Sequence, residues 1–315
     1  MSNILVTGGC GYMGSVLVPK LLDRGHKVDV YDTQWFGNEL KENKNLSIYK
    51  VDVRDIDKIN MSGINVIIHL ANIANDPSVD LNPVMSWEVN VLASQQMADK
   101  AEREGVEQFI YASSGSVYGV KTEPKVTEDL SLVPISTYNK TKMVAERIFL
   151  SYKENFKVQC IRPATVCGVS PRMRLDVAVN LLTYQALINK EITVLGGKQV
   201  RPNIHIDDIT DLYIHLIDNN SAFESGCYNA GFENISILDI AKKIQTKIDC
   251  EVKIQPSNDP RSYRQDSTKL LSRGFSPKKT VEDAIDEIIL SYTKNELSTL
   301  DSCFTVKWMK EKNFK

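Results

Sequence analysis

A glycine cluster directly behind the first apolar run constrains this chain more than any other feature. Ile4, Leu5 and Val6 have strand character and lead into Thr7-Gly8-Gly9-Cys10-Gly11-Tyr12-Met13-Gly14. Beyond it Val16, Leu17, Val18, Leu21 and Leu22 recur at helical spacing. Two glycine spacings overlap there, Gly8-x-x-Gly11-x-x-Gly14 and Gly9-x-Gly11-x-x-Gly14. A backbone without side chains turns tightly and approaches a pyrophosphate, and the helix N-terminus adds N–H donors and positive potential. Gly14 lets helix and strand pack closely. Glycine spacing alone is a weak signal, so its surroundings decide. Asp32 closes a second strand-like run, where a carboxylate accepts hydrogen bonds from ribose hydroxyls and repels a 2′-phosphate. The pattern therefore points to NAD in preference to NADP. Asp52 follows a third run and reads either as a contact to the adenine amine or as a turn residue.

Further strand-like runs fall at residues 46–51, 66–70, 108–112 and 158–161, separated by helical patterns. That alternation predicts βαβ units and a doubly wound parallel α/β sheet of Rossmann type. Asn82 and Pro83 mark a helix start, and Val84, Trp87, Val91 and Ala98 continue it to about residue 104. A second long helix is predicted from about 135 to 152. Pro19 inside the first helix predicts a local kink. After Cys167 the character changes to longer loops with fewer strand runs. Residues 1–167 are therefore expected to form the dinucleotide domain, with 204–228 returning to it. The rest of 168–315 forms a smaller α/β substrate lobe. The lysine-rich tail from Asp301 carries Phe304, Val306, Trp308 and Met309, and is expected to dock.

With 315 residues, 42% hydrophobic and 25% charged, the chain can bury a large core without staples, and its length favours two lobes. A net charge of -2 and no long basic run argue against nucleic acid. Six scattered cysteines without a CxxC pair read as reduced thiols, with no metal site expected. No apolar run reaches the ~20 residues of a membrane span, and strand character begins by Asn3, so a cytoplasmic location is expected.

Tyr138 and Lys142 stand one helical turn apart, on one face of the second long helix. A free tyrosine, with a pKa near ~10, is a poor base at neutral pH. A neighbouring ammonium and a cationic nicotinamide favour its phenolate, making Tyr138 a proton acceptor for a substrate hydroxyl. Residues 109–119 run from a strand into Ser113-Ser114-Gly115-Ser116-Val117-Tyr118-Gly119. In open parallel sheets chemistry gathers beyond the C-terminal strand ends, where a serine bonds the reacting oxygen.

Taken with His69-Leu70-Ala71, Asn90, Arg162-Pro163, residues 201–208 and 228–231, these motifs resemble the extended short-chain dehydrogenase/reductases of the NAD-dependent nucleotide-sugar epimerase/dehydratase family. The resemblance extends to about residue 275. It implies Ser114, Tyr138 and Lys142 as the catalytic set. It also implies an NAD site of Gly8, Gly11, Tyr12, Met13, Asp32, Asp52, Val53, Leu70, Ala71 and Asn90, with Tyr138 and Lys142 at its nicotinamide end. Ser116, Asn180, Arg201 and one of Arg261 and Arg264 are implied to face a nucleotide-activated sugar. Guanidinium forks suit its phosphates. His69, His205 and His215 are read as structural.

Family members that dehydrate the sugar at C5 and C6 carry an Asp-Glu pair where this chain has Gly115 and Ser116. Without those carboxylates, deprotonating C5 and protonating a leaving hydroxyl is difficult. The leading expectation is a nucleotide-sugar 4-epimerase working through a 4-keto sugar. Net C4 oxidation or reduction is the alternative, 4,6-dehydration is less favoured, and a non-catalytic NAD sensor is the reading from another class. The segments 168–176 and 259–264 depart from typical UDP-galactose 4-epimerases and leave base and sugar open. The resemblance also implies a homodimer paired through the two long helices.

Overall fold

The computed structural model describes residues 1–257 and 262–314. Its strands are β1 (Asn3–Thr7), β2 (Lys27–Asp32), β3 (Leu46–Lys50), β4 (Val66–His69), β5 (Gln108–Ala112) and β6 (Lys157–Pro163). They continue as β7 (Thr165–Cys167), β8 (Glu191–Leu195), β9 (Val200–His205), β10 (Gly226–Ala230), β11 (Glu233–Ser236) and β12 (Glu251–Gln255). Seven of them form one sheet in the order β10-β6-β5-β4-β1-β2-β3. All its pairings are parallel. The order reverses between β1 and β4, which opens a crevice at the C-terminal strand ends.

A parallel sheet buried on both faces needs near-continuous apolar strands. Ile4, Val6, Val28, Val30, Ile68 and Ile110 enter one core with the helices Gly14–Asp23 and Ile206–Asp218. Leu5, Ile67, Phe109, Tyr111 and Val158 enter the other with the helices Ala93–Arg103 and Thr137–Ser151. The first helix runs on across Pro19, whose ring lies on the exposed face.

The helix expected over 83–104 is not uniform. Pro83–Trp87, capped by Asn82, passes into a wide π turn at Glu88–Leu92 before Ala93–Arg103. The later lobe is richer in strands than its sequence suggested. β8 pairs with β12, and β9 with β7 and β11. These strands are short, and β12 is largely exposed, so their apolar signal is weak. Helices Ala178–Asn189, Ile237–Gln245 and Val281–Thr293 close this lobe around Ile192, Val194, Ile240 and Ile285. Among the described residues no helix is long and apolar enough to cross a membrane.

Candidate functional site

One cavity of about 600 Å³ lies over the C-terminal ends of the central strands, with residues 163–166, 172–178 and 305–309 contributing to its wall. Gly8, Gly11, Tyr12, Met13 and Gly14 line one end with Asp32, Asp52, Val53, Leu70 and Ala71. Gly8 has φ +72, and a Cβ there would stand 2.7 Å from the Ala71 nitrogen. At Gly14 a Cβ would lie 2.5 Å from Gly9 Cα, so helix and loop touch only because both positions are bare. Asp32 accepts from the backbone N–H of Cys10 at 3.0 Å and of Gln34 at 2.6 Å. Burial raises its pKa, and the two N–H donors oppose that rise. A glycine cradle with a seated carboxylate beyond it fits the diphosphate and ribose of a dinucleotide. Asp52 lines the cavity while its carboxylate pairs with Arg54 at 2.9 Å.

Ser114, Ser116, Tyr138 and Lys142 line the same cavity. Ser136 starts the helix that carries Tyr138 and Lys142 by accepting from the Asn139 N–H at 3.2 Å. Lys142 is 2% exposed and donates to the Ala112 carbonyl at 2.7 Å, which draws helix and β5 together. Loss of water pulls its pKa down to about 7, against the opposing pull of Glu146. Burial likewise pushes Tyr138 up to about 12; a hydrogen bond to Ser114 opposes this, and the Asp76 carboxylate adds to it. The chain's own groups therefore hold Tyr138 as a neutral phenol, where its sequence neighbours suggested a lowered value. Ser114 also bonds Ser116 at 2.8 Å, and Ser116 donates to Asn139 Oδ1 at 2.7 Å. Behind this row, Arg162 and Glu146 form a buried pair at 2.8 Å, and Ser113 donates to Glu146.

Several expected contacts lie elsewhere. Asn90 sits in the π turn, off the cavity lining, and holds the 70–77 loop through the Ile73 N–H at 2.8 Å and carbonyl at 3.1 Å. Asn180 is fully buried and also off the lining. Its amide is occupied by the Gly168 N–H at 3.0 Å, the Tyr12 hydroxyl at 3.1 Å and the Arg174 carbonyl at 2.8 Å. Arg201 lines the cavity, whereas the Arg264 side chain is exposed outside it; Arg261 lies outside the described residues. His69 is buried against Thr7 Oγ1 at 2.7 Å, and burial drives its pKa down to about 3, so it stays neutral.

The structure adds residues that sequence reasoning did not single out: Asp76, Arg172, Arg174, Asp176, Tyr263, Trp35 and Phe36 all line the cavity. Arg174 reaches close enough to the Tyr138 phenol to lower its pKa, while ion-paired to Asp176 at 2.8 Å. The only sequence signal for this loop was its charged Arg-Met-Arg-Leu-Asp run.

Sheet order, glycine cradle, seated acid and Ser-Tyr-Lys row define a dinucleotide-dependent α/β enzyme. The model of the NAD dependent epimerase/dehydratase family matches residues 4–231, and the chain belongs to that family. It is 28% identical to a UDP-glucose 4-epimerase of Lactobacillus helveticus over 90% of this chain and 94% of the relative. It is 32% identical to the uncharacterized UDP-glucose epimerase YtcB of Bacillus subtilis, over 77% of this chain and 81% of that protein. Among solved structures it is similar to UDP-glucuronic acid 4-epimerase from Bacillus cereus in complex with UDP-glucuronic acid and NAD. That likeness has a TM-score of 0.81 at 27% identity, covering 92% of this chain and all (100%) of the other.

Proposed function

We propose that this enzyme is a UDP-sugar 4-epimerase that works through a 4-keto sugar. The observation that carries the reading is the hydroxyl set of Tyr138, Ser114 and Ser116 on one cavity wall, the two serines bonded at 2.8 Å with Gly115, not a carboxylate, between them. At Gly115 a Cβ would already stand 3.2 Å from the Pro163 carbonyl and from the Gln265 amide. The acidic side chain that dehydration calls for at this position would have to displace them. The carboxylate of Asp76, on the same cavity, accepts a hydrogen bond from Ser136.

Ser114 orients the sugar 4-hydroxyl, and Tyr138 takes its proton and returns it to the new epimer. When bound, NAD supplies the hydride acceptor at C4 and a positive charge that favours the Tyr138 phenolate. Lys142 fixes the helix to β5 and faces the Tyr138 ring at 5.9 Å. Arg201 serves the substrate diphosphate. Arg174, beside the phenol, favours a sugar with a carboxylate at C6, as in the substrate of the Bacillus cereus relative. Val84, Trp87 and Leu92, exposed along the 83–103 helical segment, favour pairing of two copies, which light scattering on the purified protein checks.

Mass spectrometry of products from a panel of UDP-hexoses and UDP-uronic acids tests the assignment. An isomer of unchanged mass, absent in Tyr138→Phe, is the expected result. A product lighter by water or by carbon dioxide would replace epimerisation with dehydration or decarboxylation.

A further inference from the structure

Beyond the family match, the chain ends in a turn at Asp301–Cys303 and a helix at Thr305–Glu311. This tail docks on the cofactor end of the molecule. The Trp308 ring lies 4.8 Å from Phe36, and Phe314 lies 4.4 Å from Trp35. Met309 is 2% exposed and packs into the core under the sheet. Thr305, Val306 and Met309 line the same cavity as Gly11, Asp32, Trp35 and Phe36.

The tail also grips the 172–176 loop. The Leu175 N–H donates to the Cys303 carbonyl at 2.9 Å, and the Thr305 N–H donates to Asp176 at 3.0 Å. Arg172 donates through Nη2 to the Thr305 hydroxyl at 3.1 Å, and its guanidinium stacks 4.1 Å from the Phe36 ring centre. That guanidinium is buried, with an Nε–H that has no acceptor. Among the described residues no carboxylate stands within ion-pair distance of it. Asp32 is held by two backbone N–H groups, and Asp176 by Arg174 and Thr305. Burial lowers the Arg172 pKa to about 10, which still leaves a cation at neutral pH. A buried, unpaired cation with an unused donor is costly unless an anion completes it.

We propose that the C-terminal helix is the outer wall of the adenosine half of the cofactor site. Arg172, held by Thr305, is the cation that meets the negative charge of the dinucleotide, so NAD leaves only when the tail lifts. This rests on the NAD-dependent reading. It makes the cofactor a resident retained between turnovers, which suits a reaction that returns its hydride to the substrate.

The test is cofactor exchange. Protein loaded with NAD is mixed with excess isotopically labelled NAD, desalted at intervals, and the bound dinucleotide read by mass spectrometry. Thr305→Val, Arg172→Gln and a chain ending at Leu300 are compared with wild type, each checked for an intact thermal transition. Exchange at least tenfold faster in the variants is expected. Rates within twofold of wild type in folded Thr305→Val and Arg172→Gln overturn the proposal, and these two decide if the shortened chain does not fold. A wild-type protein that takes up no NAD refutes the cofactor reading itself, a different failure.

Discussion

Consider Lys142→Met. Burial moves the Lys142 amine from its ordinary value of 10.5 to about 7. Each unit corresponds to about 1.4 kcal/mol, so keeping the ammonium in the folded protein costs about 5 kcal/mol at pH 6. Methionine fills a similar volume without that charge. It leaves the Ala112 carbonyl without its 2.7 Å donor, a loss of about 1–3 kcal/mol. The variant should therefore be more stable than wild type at pH 6 by about 2–4 kcal/mol. The sign follows from proton counts. Between the folded and unfolded pKa values the unfolded chain holds a proton that the folded one lacks, so wild-type stability rises with pH there. By pH 9 the burial penalty has fallen to about 2 kcal/mol and the advantage of methionine is nearly gone. Urea denaturation of ligand-free protein at both pH values, followed by circular dichroism, measures this. Turnover should meanwhile fall at least ~100-fold. A variant less stable than wild type at pH 6, or an advantage that does not shrink with pH, would refute the reasoning.

Tyr138→Phe should lower kcat by at least ~1,000-fold while NAD binding, measured by calorimetry, stays within a few fold. Asp32→Ala removes the acceptor for the Cys10 and Gln34 N–H groups; NAD affinity should drop ~10-fold or more, and discrimination against NADP should relax in parallel titrations. Gly14→Ala places a Cβ 2.5 Å from Gly9, and should lower the denaturation midpoint by an amount equivalent to about 1–3 kcal/mol. Glu146→Gln strands the buried Arg162 guanidinium, and equilibrium unfolding should show a loss of about 3–5 kcal/mol.

The nucleotide half was legible because its signals are local. A strand, a glycine turn and an amphipathic helix follow one another within residues 3–23, and sequence periodicity reports each of them. Ser114, Tyr138 and Lys142 stand in recognisable motifs, and the structure brings the three onto one cavity. What escaped depends on contacts distant in sequence. The π turn at Glu88–Leu92 leaves Asn90 serving Ile73, a pairing that helical spacing does not encode. The environment of Asn180 is set by Gly168 and by Tyr12 from the far end of the chain. Arg172 and Arg174 belong to a loop with no period, which lines the cavity and is bonded to the distant tail through Thr305. Burial raises the pKa of Tyr138 in the cofactor-free protein, an effect that residue spacing does not report.

The edge strand of the main sheet has a consequence for synthesis. β10 pairs in register with β6, Cys227 beside Cys160, yet the ribosome must first make the whole of β8 and β9. Until residue 230 has emerged, β6 presents an unpaired edge carrying the apolar Val158, Cys160 and Ile161, the kind of edge that recruits other nascent chains. Translation stalled between 167 and 226 should therefore yield sticky intermediates.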